Sequence, residues 1–209
     1  MIIGLTGTYC AGKNTIARLL EKRGFPVLDV DKFGHQAIET EKNAIIARFG
    51  DDILNSDGTV NRKFLGEKVF GKPIELAALE NIVHPAANRE TIAWIKARQA
   101  GACVINAALL HRSSAFGDLD AVIVVRSPFF TRLLRARKRD RLSFSALFRR
   151  LRSQKEFTSQ YFTGNADIYR VENPGYFFFG LFPSSKRKAE QKLENRIDEI
   201  LYSLGLNKV

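Results

Sequence analysis

Gly7-Thr8-Tyr9-Cys10-Ala11-Gly12-Lys13-Asn14 sets two glycines five positions apart and a lysine directly after the second. This is the Walker A spacing, in which backbone N–H groups wrap phosphate oxygens and the lysine ammonium reaches the β- and γ-phosphates. The amides converge only if the loop leads from a strand into a helix N-terminus. Ile2 to Leu5 is a short apolar run ahead of the loop. Behind it, Ile16, Leu19 and Leu20 recur at helical spacing between Lys13 and Lys22. The motif therefore stands in the context it needs. It predicts that Cys10, Ala11, Gly12, Lys13, Asn14 and Thr15 hold a nucleoside polyphosphate, with ATP the default. A glycine turn followed by a surface lysine is the competing reading.

Asn14 occupies the position where such loops offer a Ser or Thr hydroxyl to Mg²⁺. An amide oxygen is also a hard neutral donor, so Mg²⁺ binding is expected with a weaker or altered metal preference. Thr15 follows at once, but its side chain points about 100° further around the helix. Cys10 is expected to act through its backbone rather than its thiol. With Cys103 as the only other cysteine, there is no disulfide scaffold and no zinc cluster.

The formal net charge of +11 is concentrated in one place. From Arg126 to Lys155 there are eleven Lys or Arg residues against one acid, Asp140, a local charge of +10. Such a patch suits nucleic acid, an anionic membrane or a polyphosphate, and a solvated helical face is the blander reading. The nearby phosphate motif favours the polyphosphate. No zinc-finger, helix-turn-helix or aromatic RNA-binding pattern accompanies the patch, so no nucleic-acid partner is expected. No apolar run reaches the ~18–20 residues of a membrane helix, and no secretory signal is read at the N-terminus. A cytoplasmic protein with no membrane partner is the expectation.

Short, continuously apolar strands alternate with helical spacing along the 209 residues, which argues for a mostly parallel sheet with helices on both faces. Strands are predicted at Ile2–Leu5, Phe25–Leu28, Cys103–Ile105, Ala121–Val125 and Ile168–Val171. Helices are predicted over 13–22, 32–49, 128–139, 144–155 and 185–204. A long helical stretch over 62–99 should break near Gly71-Lys72-Pro73 and again at His84-Pro85. The aromatic segment 175–182 reads as core, with self-association into a homo-oligomer as the alternative.

Leu28-Asp29-Val30-Asp31, taken with the loop, resembles dephospho-CoA kinase. So do Leu79-Glu80-Asn81-Ile82-Val83-His84-Pro85, the Arg135, Arg139-Asp140, Arg150 and Gln154 spacing, and Ala166-Asp167 followed by Asn173. The matches run from residue 2 to about 173. Three departures stand out: Ala108-Leu109-Leu110-His111-Arg112 where the family has Pro-Leu-Leu-Phe-Glu, Arg132 where it has glutamine, and the aromatic segment.

The resemblance implies a three-layer P-loop kinase fold with a core of about 1–58, 101–126 and 156–209. It also implies a helical acceptor-binding subdomain at about 59–100 and a basic lid at about 127–155. The implied reaction moves the γ-phosphoryl of ATP, with Mg²⁺, onto dephospho-CoA. Asp31, Lys13 and Arg139 are the expected catalytic residues, and Asn173 is expected against adenine. Asp31, His35, His84 and Arg62 are expected at the acceptor, and Asn14 with Asp29 at the metal. Helix capping is the alternative for Asp29 and Asp31. Packing is the alternative for His35, and helix termination for His84. Another small-molecule P-loop kinase, or a nucleotide binder without catalysis, stays open at this stage.

Overall fold

The computed structural model describes residues 1–98, 101–140, 143–152, 166–175 and 183–206. The elements run β1 (Ile2–Gly7), α1 (Lys13–Glu21), β2 (Val27–Asp29), α2 (Val30–Thr40), α3 (Lys42–Phe49), α4 (Arg62–Val69), α5 (Pro73–Lys96) and β3 (Cys103–Asn106). They continue with β4 (Ala121–Arg126), α6 (Phe129–Asp140), α7 (Phe144–Arg152), β5 (Asp167–Glu172) and α8 (Pro183–Ser203). The five strands form one sheet in the order β2-β3-β1-β4-β5. β1 pairs parallel with β3 and β4, and β4 pairs parallel with β5. Parallel neighbours need long crossovers, and these carry the helices. In register, Leu5 faces Asn106 and Gly7 faces Val125, so the loops after β1, β3 and β4 leave from one sheet edge. In open α/β sheets that edge is where ligands bind.

The chain packs as two compact units, Met1–Leu28 with Arg98–Val209, and Asp29–Ala97. In the first, Ile3, Leu5, Val104, Ile123 and Val125 of the sheet meet Ile16 and Leu20 of α1, with Ile197 and Ile200 of α8 in the same cluster. All are buried, as unbroken apolar strands require when both faces are covered. Arg23, just past α1, donates from Nε to Asp198 Oδ1 at 2.6 Å and from Nη2 to Asp198 Oδ2 at 3.0 Å. It also donates to the Leu19 and Glu194 carbonyls, so one guanidinium fastens α8 to α1.

The second unit gathers α2 to α5 around Ile45, Phe49, Leu65, Val69, Val83 and Ala87. The helical stretch expected over 32–49 divides at Glu41, whose ψ of 20° leaves the helical range. The expected break at His84-Pro85 does not occur, and α5 runs through both residues. Pro85 forfeits one bond to the carbonyl four residues back, but it and Asn81 both face solvent, so water can take that carbonyl. No described helix is long and apolar enough to cross a membrane.

Replacing Arg23 by Ala should destabilise the protein by about 2 kcal/mol, lowering Tm by roughly 4–8 °C. Thermal denaturation by circular dichroism checks this, and an unchanged Tm would mean that the α1–α8 contact stands on apolar packing alone.

Candidate active site

The loop between β1 and α1 owes its shape to close approaches. At Gly7 a Cβ would lie 2.6 Å from the Val125 carbonyl oxygen, so glycine lets β1 and β4 converge there. Gly12 has φ 98°, in the left-handed region, and a Cβ on it would run into the Asn173 amide. Cys10 is the described non-glycine residue with positive φ, at 59°, a conformation that costs of order 1 kcal/mol. The turn is closed by Ala11 N–H donating to the Thr8 carbonyl at 2.9 Å. The Gly12 carbonyl accepts from Thr15 N–H at 2.9 Å and begins α1. That helix start has neither a side-chain cap nor an acid in its first turn. Its partial positive charge suits an anion.

Two side chains from distant sequence fix the loop from outside. Arg135 Nη1, on α6, donates to the Ala11 carbonyl at 3.0 Å and the Cys10 carbonyl at 3.3 Å. Asn173, just beyond β5 and 4% exposed, donates from Nδ2 to the same Ala11 carbonyl at 2.9 Å. Its Oδ1 accepts from Arg135 Nη2 at 3.0 Å, closing a ring of three residues. Thr131 Oγ1 donates to the Pro174 carbonyl at 2.8 Å and holds the end of β5 against α6. Asn173 therefore braces the loop, with one amide N–H on the Ala11 carbonyl and its Oδ1 on Arg135.

Arg139 stacks over the Tyr9 ring at 4.8 Å. It also pairs with the Asp140 carboxylate, 2.7 Å from Nε and 3.2 Å from Nη2. Lys13 is half-buried, while Asn14 and Thr15 are exposed at the helix start. Asn14 Oδ1 accepts from Asn106 Nδ2 at 3.4 Å. Asn106 ends β3, is 2% exposed, and its Oδ1 meets no hydrogen-bond partner among the described residues. Sequence reasoning missed Asn106, although one polar residue ending the apolar run Cys103-Val104-Ile105 was a usable signal.

The second unit holds the other expected residues. Asp29 precedes α2 and makes no side-chain cap, and its buried Oδ1 finds no partner among the described residues. Asp31 is exposed in the first turn of α2. His35 and Arg62 line one open cleft of about 990 Å³, shared with Phe33, Lys63, Arg89 and Glu90. His84 is half-buried within α5 and is not among the residues lining that cleft. Thus Lys13, Asn14, Arg139 and Asn173 belong to one unit, and Asp29, Asp31, His35, Arg62 and His84 to the other.

A family model described as dephospho-CoA kinase matches residues 1–168. The chain belongs to that family. A dephospho-CoA kinase of Treponema pallidum (strain Nichols) is 34% identical over 184 residues, covering 83% of this chain and 87% of that protein. One from Geobacter sulfurreducens (strain ATCC 51573 / DSM 12127 / PCA) is 34% identical over 205 residues, covering 95% and 96%. The solved structure of TT1252 from Thermus thermophilus superposes with a TM-score of 0.73 at 28% identity, over 96% of this chain and 97% of that one.

The fold is thus the P-loop kinase fold, and the chain is a family phosphotransferase with an alcohol group as acceptor. Of the family departures, the Ala108 carbonyl accepts from Thr6 Oγ1 at 3.4 Å. The Arg112 and Arg150 side chains, Gln154 and the aromatic residues 176–182 lie outside what the structure describes.

Asn173→Ala should open the ring around the Ala11 carbonyl. Leaving its partners unmet costs about 1–3 kcal/mol, and ATP affinity should fall roughly ten-fold or more as the loop loses its shape. Calorimetric titration with ATP and a thermal melt check both effects; parental affinity would show that Arg135 alone suffices.

Proposed function

We propose that this protein transfers the γ-phosphoryl group of ATP to the ribose 3′-hydroxyl of dephospho-CoA. The products are coenzyme A and ADP, and the step is the last of coenzyme A biosynthesis. The observation that carries the reading is the loop at residues 7–15. Its Ala11 carbonyl is held by Arg135 and Asn173, at the uncapped start of α1, in a chain of this family.

Phosphoryl transfer runs through a loose transition state, so the protein's task is positioning and charge stabilisation. Loop amides and the Lys13 ammonium take the β- and γ-phosphates, where negative charge builds on the leaving oxygen. Asp31 accepts or orients the proton of the acceptor hydroxyl, a role open to an exposed carboxylate beginning a helix. His35, one helical turn on, orients Asp31, and Arg62 on the wall of the same cleft as His35 meets the anionic acceptor. His84 is assigned to the acceptor as well. Arg139 covers the transferring phosphates once it exchanges Asp140 for them, as part of a lid over residues 127–155 that excludes water. We assign this work to the cytoplasm, on a small-molecule acceptor and with no nucleic-acid or membrane partner.

The residues present fit Mg²⁺. Asn14 offers an exposed amide oxygen, and Asn106, whose Nδ2 reaches Asn14, carries a second hard neutral oxygen, Oδ1, without a partner among the described residues. Asp29 supplies a carboxylate oxygen that likewise lacks a partner among the described residues. Bound Mg²⁺ would offset charge on the phosphates.

Incubation with ATP, Mg²⁺ and dephospho-CoA should yield coenzyme A and ADP. Lys13→Ala and Asp31→Ala should each lower the rate by about 100-fold or more. ATP binding without turnover on any acceptor would favour a non-catalytic relative. Asn14→Ser should lower the Mg²⁺ concentration at half-maximal rate; an unchanged Mg²⁺ dependence would remove Asn14 from the metal's ligands.

A further inference from the structure

Three arginines of α6 lie along one stripe, at 132, 135 and 139, and the last two meet the phosphate loop. Arg135 uses its donors on the Cys10 and Ala11 carbonyls, Ser127 and Asn173. Arg139 pairs with Asp140 and covers Tyr9. Arg132 differs. Its Nε and Nη1 are buried, and neither meets a hydrogen-bond partner among the described residues. Its guanidinium carbon lies 6.0 Å from the centre of the Phe129 ring, on the stripe of α6 that carries Arg135 and Arg139 to the loop. Burial pushes this guanidinium below its ordinary pKa; Cys10 opposes that and the neighbouring Arg126 charge adds to it.

A cation taken out of water with donors unmet is costly unless an anion completes it. An extra positive charge at this position would be a liability in a purely structural role. Among the described residues no hydrogen bond meets these donors, and an anion on the neighbouring loop would meet them.

We infer that Arg132 is a phosphate-recognition residue, its planar fork donating to oxygens of the nucleoside polyphosphate seated on residues 10–14. This rests on the reading of that loop as the ATP site. It adds a bidentate contact where the family resemblance leads one to expect a neutral glutamine. Lys13 supplies a point charge, and Arg132 supplies direction.

The test titrates ATP with Mg²⁺, and separately inorganic tripolyphosphate, into the full chain, Arg132→Met and Arg132→Lys, with apo melting temperatures in parallel. Arg132→Met should weaken both ligands by about ten- to a hundred-fold. Arg132→Lys should recover part of the loss, since it restores charge without the fork. The Arg132→Met apo protein should melt no lower than the parent, because a half-buried cation with unmet donors has gone. Parental affinity for both ligands in Arg132→Met, or a loss matched by a fall in apo melting temperature, would overturn the assignment. Arg132-dependent tripolyphosphate binding in a protein that makes no coenzyme A would uphold Arg132 and remove only the acceptor assignment.

Discussion

The Ala11 carbonyl receives hydrogen bonds from Arg135 and from Asn173 at about the same length, and the geometry of the phosphate loop depends on them. A trans peptide is planar, so the following Gly12 N–H points opposite to that carbonyl, away from Arg135 and Asn173. Gly12 tolerates the required φ of 98° only because it lacks a Cβ. A loop without these ties would lose the strained Cys10 conformation and scatter its amides. An anion would then have to order the loop at its own expense.

The ring joins residues that are remote in sequence, at 11, 135 and 173, and the sheet makes this workable. β1, β4 and β5 lie side by side in parallel register, so the chain leaving β4 into α6 and the chain leaving β5 at Asn173 emerge beside the loop after β1. The Asn173 N–H to Arg126 carbonyl bond at 2.7 Å extends that pairing by one more step. Core packing of Ile16 and Leu20 against Ile3 and Leu5 sets the helix start that the loop must reach. The stability of the sheet and the readiness of the site thus share the same contacts.

Much of this was legible in the residues. Unbroken apolar runs announced the strands, because a parallel sheet covered on both faces leaves no polar alternation. The loop announced itself through glycine spacing between a strand and a helix, and the ordered family matches reached Asn173. What escaped depends on three-dimensional partners. Asn173 reads as a ligand residue from its motif, but its bonds to the Ala11 carbonyl and Arg135 depend on residues distant in sequence. Asn106 looked like the end of a strand until burial left its Oδ1 without a partner among the described residues. Pro85 looked like a helix breaker, but its exposed side of α5 tolerates a missing bond. Local propensity cannot register which carbonyl faces water or which amide faces a neighbour.

A crystal structure with a non-hydrolysable ATP analogue and Mg²⁺ examines the central claim most directly. The account predicts phosphate oxygens about 2.7–3.2 Å from the Gly12 and Lys13 amides and from Lys13 Nζ, with Asn173 and Arg135 still bonded to the Ala11 carbonyl. A nucleotide bound elsewhere, or one seated in the loop with that carbonyl turned inward and its two donors released, would contradict it.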